Sequence, residues 1–298
     1  MSIDHENEAT SSDEAAEWGR LGALWFWLAT AAALLAAAGS AVGLLATQAI
    51  YGQETAALAD AATAQDLVNL VLVAPLLALL GWWARRGHLS AYLSWLGCLS
   101  FTVYNYAIYA YSIHFGPLFL VWVAVLGLAT FALLGGLATA DADAIKACFS
   151  GRPMWAPAWF LIVVPALFAL LWLREIITDL LARAPSSSAS AWLVPTNPVH
   201  VLDLAFFLPA AITSGVLLLH RHRLGYATAV GQLTWLALTC LPILVTPLVA
   251  VSRGHLPGWA VVGPIGGILS ACIAALIWLL RQTSPKLALA SPGTPPSK

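Results

Sequence analysis

The side chains with the clearest chemical potential lie at one predicted helix start. Asn197-Pro198 predicts the start, because Asn is a favoured N-cap and Pro fits the first turn, where its missing N–H would have no partner. His200 falls in the first turn, and Asp203 lies three residues further along on the same face. At 1.5 Å per residue, Asp203 is about 9 Å deeper than the cap. The pair could provide a general base or a ligand-binding carboxylate.

Asp203 is the more informative member of this pair, because the segment around it is apolar. A carboxylate inside a membrane helix is costly unless it is paired, protonated or hydrated, so such residues are candidates for function. The structural alternative is a hydrogen bond that joins two helices. For His200 the alternative is an ordinary position at the membrane interface.

An earlier segment repeats the same pattern. Asp66 is predicted to cap a helix there, and Asn69 takes the place of Asp203. Five pairs of residues are separated by the same number of positions along the chain, and we name this separation the repeat interval. The pairs are Asp66/His200, Asn69/Asp203, Pro75/Pro209, Gly81/Gly215 and Tyr92/Tyr226. A slightly longer separation relates Pro117 to Pro257 and Gly127 to Gly267. These matches predict that a four-helix unit is duplicated and that its two copies have the same orientation in the membrane. Chance similarity between Leu- and Ala-rich helices is the alternative.

The polar residues in the predicted membrane segments cluster toward the outer face of the membrane. Asn105 and Tyr109 are four residues apart and share a helix face, and Glu175 ends a later helix. We therefore predict a polar pocket near the outer face, whose two helix N-termini modestly favour anionic groups. The residues predicted to bind a ligand there are Asp203, His200, Asn69, Asp66, Asn105, Tyr109 and Glu175.

Composition indicates the environment that these residues share. Hydrophobic residues make up 60% of the 298 residues and charged residues only 9%, whereas a soluble domain has roughly 25% charged residues. Long Leu/Ala-rich runs, without strict alternation, predict membrane-spanning helices rather than a β-barrel. The predicted fold class is therefore all-α, a polytopic transmembrane helix bundle.

Eight spans are predicted, with both termini in the cytoplasm. Their approximate limits are 22–47, 67–84, 89–112, 117–139, 156–180, 199–219, 225–251 and 258–280. Basic loop residues favour the inner side by ten to three. We expect the domains to be a disordered acidic tail (1–20), helices 1–4 (21–140), a cytoplasmic connection (141–155), helices 5–8 (156–281) and a disordered tail (282–298).

Several classes of function are disfavoured. A net charge of −1 implies no nucleic-acid partner. The four cysteines form no C-x-x-C pair, so no metal site is predicted from them. No P-loop, H-E-x-x-H or G-x-S-x-G motif occurs, and the cofactor, if there is one, is unknown.

Three stretches resemble segments of a family of bacterial multi-pass integral membrane proteins to which no activity is attached. They are 51–55 (YGQET), 66–70 (DLVNL) and 197–203 (NPVHVLD). The resemblance covers the membrane region without the two ends. It implies a bacterial plasma membrane location and supplies no catalytic residues.

Three functional hypotheses follow from these observations. The first is a transporter or sensor that binds a small molecule or lipid in the outer pocket. The second is an assembly or scaffold protein whose polar residues only join helices. The third is an intramembrane enzyme that acts on a lipid head group through His200 and Asp203. The lipid bilayer is the expected partner in each case, and a homo-oligomer is also compatible with the sequence.

Overall fold

The protein is an all-α polytopic membrane helix bundle. The computed structural model describes residues 3–149 and 154–283, with side chains from Gly22 onward. Seven helical stretches in this part of the chain are long and apolar enough to cross a membrane. The one β-contact among the described residues is a single antiparallel bridge between Phe149 and Thr283.

Thirteen α-helices, two π-helical turns and one 3-10 turn make up the described chain. They are α1 (Ile3–Leu45), α2 (Thr47–Tyr51), α3 (Ala56–Val68), a first π-turn (Asn69–Val73), α4 (Ala74–Arg85), α5 (Leu89–Ser112), α6 (Phe119–Ala138), α7 (Ala142–Ala147), α8 (Trp155–Leu181), α9 (Ser187–Trp192), α10 (Pro198–Leu202), a second π-turn (Asp203–Phe207), α11 (Leu208–Leu219), α12 (Arg223–Ser252), a 3-10 turn (Trp259–Val261) and α13 (Val262–Leu280).

The eight predicted spans correspond to eight long helical stretches, of which α5 is the least apolar. The other seven meet the length and hydropathy expected of a membrane span. α5 has 24 residues, and most of them are buried because it packs against α4, α6 and α12. Since α5 is surrounded by protein rather than by lipid, it can carry polar residues along its length.

Two helices begin earlier than predicted. The stretch α3–α4 starts at Ala56, where the Thr55 hydroxyl accepts a hydrogen bond from the Leu58 N–H, rather than near residue 67. Asp66 is therefore inside a helix, about three turns from its start, and is not an N-cap. The reason is that the Ala-rich run over 56–64 favours helix more strongly than its polar residues oppose it. Likewise α1 begins at Ile3 instead of near residue 22, and Ala and Glu in this segment are good helix formers. Of the predicted tail over 282–298, residues 284–298 lie outside the described residues.

Both π-turns occur at the same place in their helices. Each π-turn spans five residues, and one begins at Asn69 and the other at Asp203. A single residue separates each turn from the proline that follows it, Pro75 or Pro209. Proline cannot donate a backbone hydrogen bond, and its ring clashes with the carbonyl four residues before it. A π-turn over those residues accommodates the proline without breaking the helix. The two stretches, which are one repeat interval apart, therefore have the same structure.

The long helices form two groups of four. In the first group, α1, α3–α4, α5 and α6 pack together, and in the second α8, α10–α11, α12 and α13 do so. α5 and α12 join the groups at a close crossing of Gly97 and Gly231. These two glycines are also one repeat interval apart, and small residues at a crossing allow membrane helices to approach closely.

The bundle has two distinct ends. At what we name the outer end, Thr55 bonds to Ala191 and Asp60 bonds to Arg253. At the opposite, inner end, Ser90 bonds to Thr283. The loop charges predict that the outer end faces away from the cytoplasm.

A methyl group added at Gly97 is expected to destabilise the protein, whereas one added at Gly231 is not. The new carbon in Gly97→Ala would lie 2.4 Å from the Gly231 carbonyl oxygen, a backbone atom that cannot turn aside. We expect a cost of roughly 1–3 kcal/mol from this overpacking. In Gly231→Ala the nearest atom is 3.5 Å away, which is an ordinary contact. Unfolding midpoints of the detergent-purified variants test this, and equal midpoints would contradict the close crossing.

Candidate functional site

A cavity of about 370 Å³, which we name the outer pocket, lies between the two helix groups on the outer side of the α5–α12 crossing. The first group contributes residues of α3 and α5 between Leu58 and Ile113. The second contributes Trp172 of α8, residues of α9 and α10, and α12 between Thr239 and Thr246. The pocket is therefore formed only when the two groups come together.

Aromatic rings form much of the pocket wall. They belong to Phe101, Tyr104, Tyr109, Trp172 and Trp192. Tyr104 is held edge-on by Phe207 and Trp235, with ring centroids 4.8 Å and 5.7 Å from its own. These contacts fix the ring in place, so this part of the wall is preorganised.

Asp203 lies directly behind this wall, at the start of the second π-turn. Its Oδ2 accepts a hydrogen bond of 2.8 Å from the Trp172 indole N–H, and the Tyr104 hydroxyl is close enough to interact electrostatically with the carboxyl group. Its Oδ1 is buried and has no partner among the described residues. The Trp172 ring also lies 4.6 Å from the ring of His200, which lines the pocket. Trp172 thus links the two residues of the predicted pair.

Asn69 occupies the corresponding place in the first π-turn. Its Oδ1 accepts hydrogen bonds from Gln65 Nε2 at 3.0 Å and from Asn105 Nδ2 at 3.3 Å. Gln65 and Asn105 both line the pocket. The Asn69 Nδ2 is buried without a partner in the described part of the chain. Asn69 and Asp203 are therefore not hydrogen-bonded to each other, and Asn69 instead bonds to Asn105 of α5 while Asp203 bonds to Trp172 of α8.

Asp66 lies away from the pocket, beneath α1. Its carboxylate accepts hydrogen bonds from Tyr51 Oη at 2.5 Å and Tyr109 Oη at 2.9 Å. A side-chain carbon at Gly43 would lie 2.1 Å from the carboxylate, so only glycine fits there. The pKa of the Tyr51 phenol is raised far above its ordinary value, mainly by burial and secondly by the nearby Asp66 charge. Tyr51 therefore keeps its proton and remains a donor. Asp66 thus contacts the pocket only through Tyr109.

Glu175 has a structural contact that the sequence did not predict. Its Oε1 accepts a hydrogen bond of 3.2 Å from the Ser188 N–H. Asp179 accepts hydrogen bonds of 2.7 Å and 2.9 Å from the N–H and hydroxyl of Ser187. The two carboxylates therefore satisfy free N–H groups at the start of α9. Glu175 is also close enough to His200 to interact with it electrostatically.

α9 covers the outer pocket. Ser188, Ala191 and Trp192 line the cavity from this short helix. The Thr55 hydroxyl, at the start of α3, donates to the Ala191 carbonyl over 2.9 Å. The sequence analysis missed α9 as well as Trp172, Trp192 and Gln65. The serine run after Pro185 is an N-cap signal that predicts such a helix, but no local signal indicates that Trp172 meets Asp203.

An ionic cluster around the buried Asp60 joins the two helix groups at the outer end. Asp60 accepts from Arg253 Nη1 at 3.2 Å and pairs with His255 Nδ1 at 2.7 Å. Arg253 Nη2 also donates to Thr63 Oγ1 at 2.7 Å. The cluster ties α3 to the loop after α12, beside the pocket. Among the described residues, no group of three or more His, Cys, Asp or Glu could hold a metal ion.

Loss of the Tyr51 hydroxyl is expected to destabilise the protein. In Tyr51→Phe the buried Asp66 carboxylate retains only the donor from Tyr109. Leaving a buried group short of a partner costs roughly 1–3 kcal/mol. Tyr111→Phe is the matched control, because Tyr111 is 74% exposed. The melting temperatures of the two purified variants test this, and a Tyr51→Phe variant as stable as Tyr111→Phe would show that the hydrogen bond contributes nothing.

Comparison of the chain with protein-family models, with curated proteins and with solved structures finds no match. The arrangement of its own residues is therefore the basis for a functional assignment.

Proposed function

We propose that this protein binds one small amphipathic molecule or lipid in the outer pocket and acts as a sensor or transporter in a bacterial plasma membrane. The observation that carries the proposal is the pair of unpartnered polar atoms behind the pocket wall, Asp203 Oδ1 and Asn69 Nδ2. An unsatisfied buried polar group costs roughly 1–3 kcal/mol. A ligand or water molecules that reach these atoms would recover that energy. Both atoms belong to residues that bond to side chains lining the cavity, Asp203 to Trp172 and Asn69 to Gln65 and Asn105, which favours a binding site over a purely structural core.

The pocket has the size and character of a ligand site. A volume of about 370 Å³ falls within the roughly 300–1,000 Å³ that is usual for such sites. Its walls are mainly apolar and aromatic, with a few polar groups from Gln65, Asn105 and His200. This combination suits a molecule with an apolar body and one hydrogen-bonding head.

The charges favour a neutral or cationic head. No Lys or Arg is among the residues that line the pocket. Two carboxylates lie close to the pocket, Asp203 behind the wall and Glu175 beside His200, and the nearby Arg253 guanidinium is already paired with Asp60. Aromatic rings such as those of Tyr104 and Trp172 also attract cations. These observations outweigh the modest preference for anions expected from two helix N-termini.

We further propose that the two helix groups are copies of one duplicated four-helix unit. The identical position of the π-turns, together with the Gly97–Gly231 contact, supports this proposal. In transporters built from repeats, the binding site lies between the repeats near interrupted helices. The outer pocket has this location. Because the crossing lies on its inner side, the present arrangement supports binding and sensing, and transport would require the crossing to open.

Ligand protection tests the proposal with three probes that share a chain and differ in the head group: octylamine, octanol and octanoate. We expect the amine and the alcohol to raise the melting temperature of the detergent-purified protein, by about 2–4 °C for each kcal/mol of binding. Octanoate should have no such effect, because a carboxylate would face Asp203.

Two matched variants locate the binding. Ala61→Phe places a ring in the pocket and should abolish the shifts, whereas Ala57→Phe, one turn earlier and exposed, should retain them. Asp203→Asn should weaken the binding of octylamine more than the binding of octanol. If none of the probes shifts the wild-type protein and Ala61→Phe functions normally in cells, the polar residues only join helices and the scaffold hypothesis is favoured.

A further inference from the structure

A second cavity, of about 390 Å³, lies at the inner end of the bundle within the first helix group. We name it the inner pocket. It is bounded by α1, the end of α4, the start of α5, the end of α6, and α7. The polar side chains that line it belong to Arg85, His88, Tyr92, Trp95, Thr139 and Asp141. The sequence analysis had placed almost no polar side chains within the spans at this end.

Most of the hydrogen-bonding capacity in the inner pocket is already used. Tyr92 Oη donates to the Gly136 carbonyl at 2.5 Å. Thr139 Oγ1 donates to the Gly135 carbonyl at 2.9 Å. The Asp141 carboxylate accepts from the N–H groups of residues 143 and 144, at 3.0 Å each, and so caps α7. These groups hold the helix ends together and leave little capacity for a ligand.

Two donors in the inner pocket remain available. Trp95 Nε1 is buried, in a residue only 4% exposed, and has no partner among the described residues. The Arg85 guanidinium lies over the Phe26 ring, 4.7 Å from its centroid, and pairs with no carboxylate in the described part of the chain. Arginine and the tryptophan indole can only donate. These two donors therefore require an acceptor, whereas the exposed His88 ring, which also lines the pocket, can either donate or accept.

We propose that the inner pocket binds an amphiphile with a phosphate head group, with the phosphate at Arg85 and an ester oxygen at Trp95. The planar guanidinium fork matches phosphate geometry, and Arg85 ends α4 at the membrane edge. Trp95 lies six residues into α5, or about 9 Å deeper. Phe26, Leu89 and Ile145 supply apolar surface between the two donors. A phospholipid presents its phosphate, ester groups and chains in this order.

The helix arrangement alone does not require the pocket, because the second group lacks its main features. One repeat interval after Trp95, the counterpart residue is Ala229. The counterpart of Tyr92 is Tyr226, whose ring is packed against Phe149 with centroids 5.1 Å apart. In the first group, by contrast, a side-chain carbon at Gly81 would lie 3.1 Å from Trp95 Nε1. The indole donor therefore belongs to the first group alone.

Two adjacent arginines provide the test. Arg85 lines the pocket, while Arg86 is stacked over Trp82 with its guanidinium carbon 4.5 Å from the ring centroid and does not. Native mass spectrometry of the detergent-purified full chain would measure bound dioleoyl phosphatidylglycerol, dioleoylglycerol or inorganic phosphate. We expect the phosphatidylglycerol adduct to form, and Arg85→Ala to lower its affinity about tenfold. Arg86→Ala should change it less than about twofold.

Two further comparisons keep the result decisive if Arg85→Ala fails to fold. Gly22 lines the pocket, and a Cβ added there meets no described atom within 4 Å, so Gly22→Leu should fold and displace the phospholipid. Gly127→Leu, equally unobstructed on α6, should retain it. Trp95→Phe keeps an aromatic ring but removes the indole N–H, so it should weaken binding of the phospholipid.

The probes also separate the sources of the phosphate. Competition by inorganic phosphate would show that the head group alone is recognised and extend the ligand class to free phosphates. Equal retention of dioleoylglycerol and phosphatidylglycerol, or equal losses in Arg85→Ala and Arg86→Ala, would overturn the proposal. None of these residues lines the outer pocket, so failure here leaves the proposed function untouched.

Discussion

The contact between α5 and α12 at Gly97 and Gly231 is the constraint on which the rest of the structure depends. A side-chain carbon at Gly97 would lie 2.4 Å from the Gly231 carbonyl oxygen, so the two backbones are as close as they can be. Lipid solvates apolar helices as well as other helices do, and close packing of small residues is one of the few forces that joins them. This contact therefore fixes how the two four-helix groups meet, and the outer pocket lies beside it.

Buried carboxylates act as the second organising force, and each of the three is matched to a donor from another segment of the chain. Asp66 is held by Tyr51 and Tyr109, Asp60 by Arg253 and His255, and Asp203 by Trp172. Most of these bonds join segments distant in sequence, so they fix the positions of helices that apolar packing alone would allow to slide. Asp203 Oδ1 and Asn69 Nδ2 are among the buried polar atoms that have no partner in the described part of the chain, and their residues bond to side chains that line the outer pocket.

The two pockets differ in chemistry in a way that follows from their surroundings. The outer pocket has carboxylates behind it and aromatic rings around it, and it is covered by α9. The inner pocket has an arginine at its edge and an indole N–H inside it. The first suits a neutral or cationic head group and the second suits an anionic one. The first lies between the helix groups and the second within one group, so the two proposed ligands would contact different parts of the bundle.

The amino-acid sequence by itself determined the all-α membrane bundle, because the length and apolar character of a span are local properties. It also determined the Asn197 cap, whose Oδ1 accepts from the Val199 N–H as expected, and the shared face of Asn105 and Tyr109. Both depend only on residues within a few positions of each other.

The tertiary structure alone decided which side chains meet. Asp66 was predicted to cap a helix and lies inside one, bonded to Tyr51 and Tyr109. Glu175 was predicted to bind a ligand and also satisfies an N–H of α9. The tie between Trp172 and Asp203 joins residues 31 positions apart on different helices. Periodicity shows which face of a helix a residue occupies, but the partner of that face is set by how the helices pack, which no local spacing encodes.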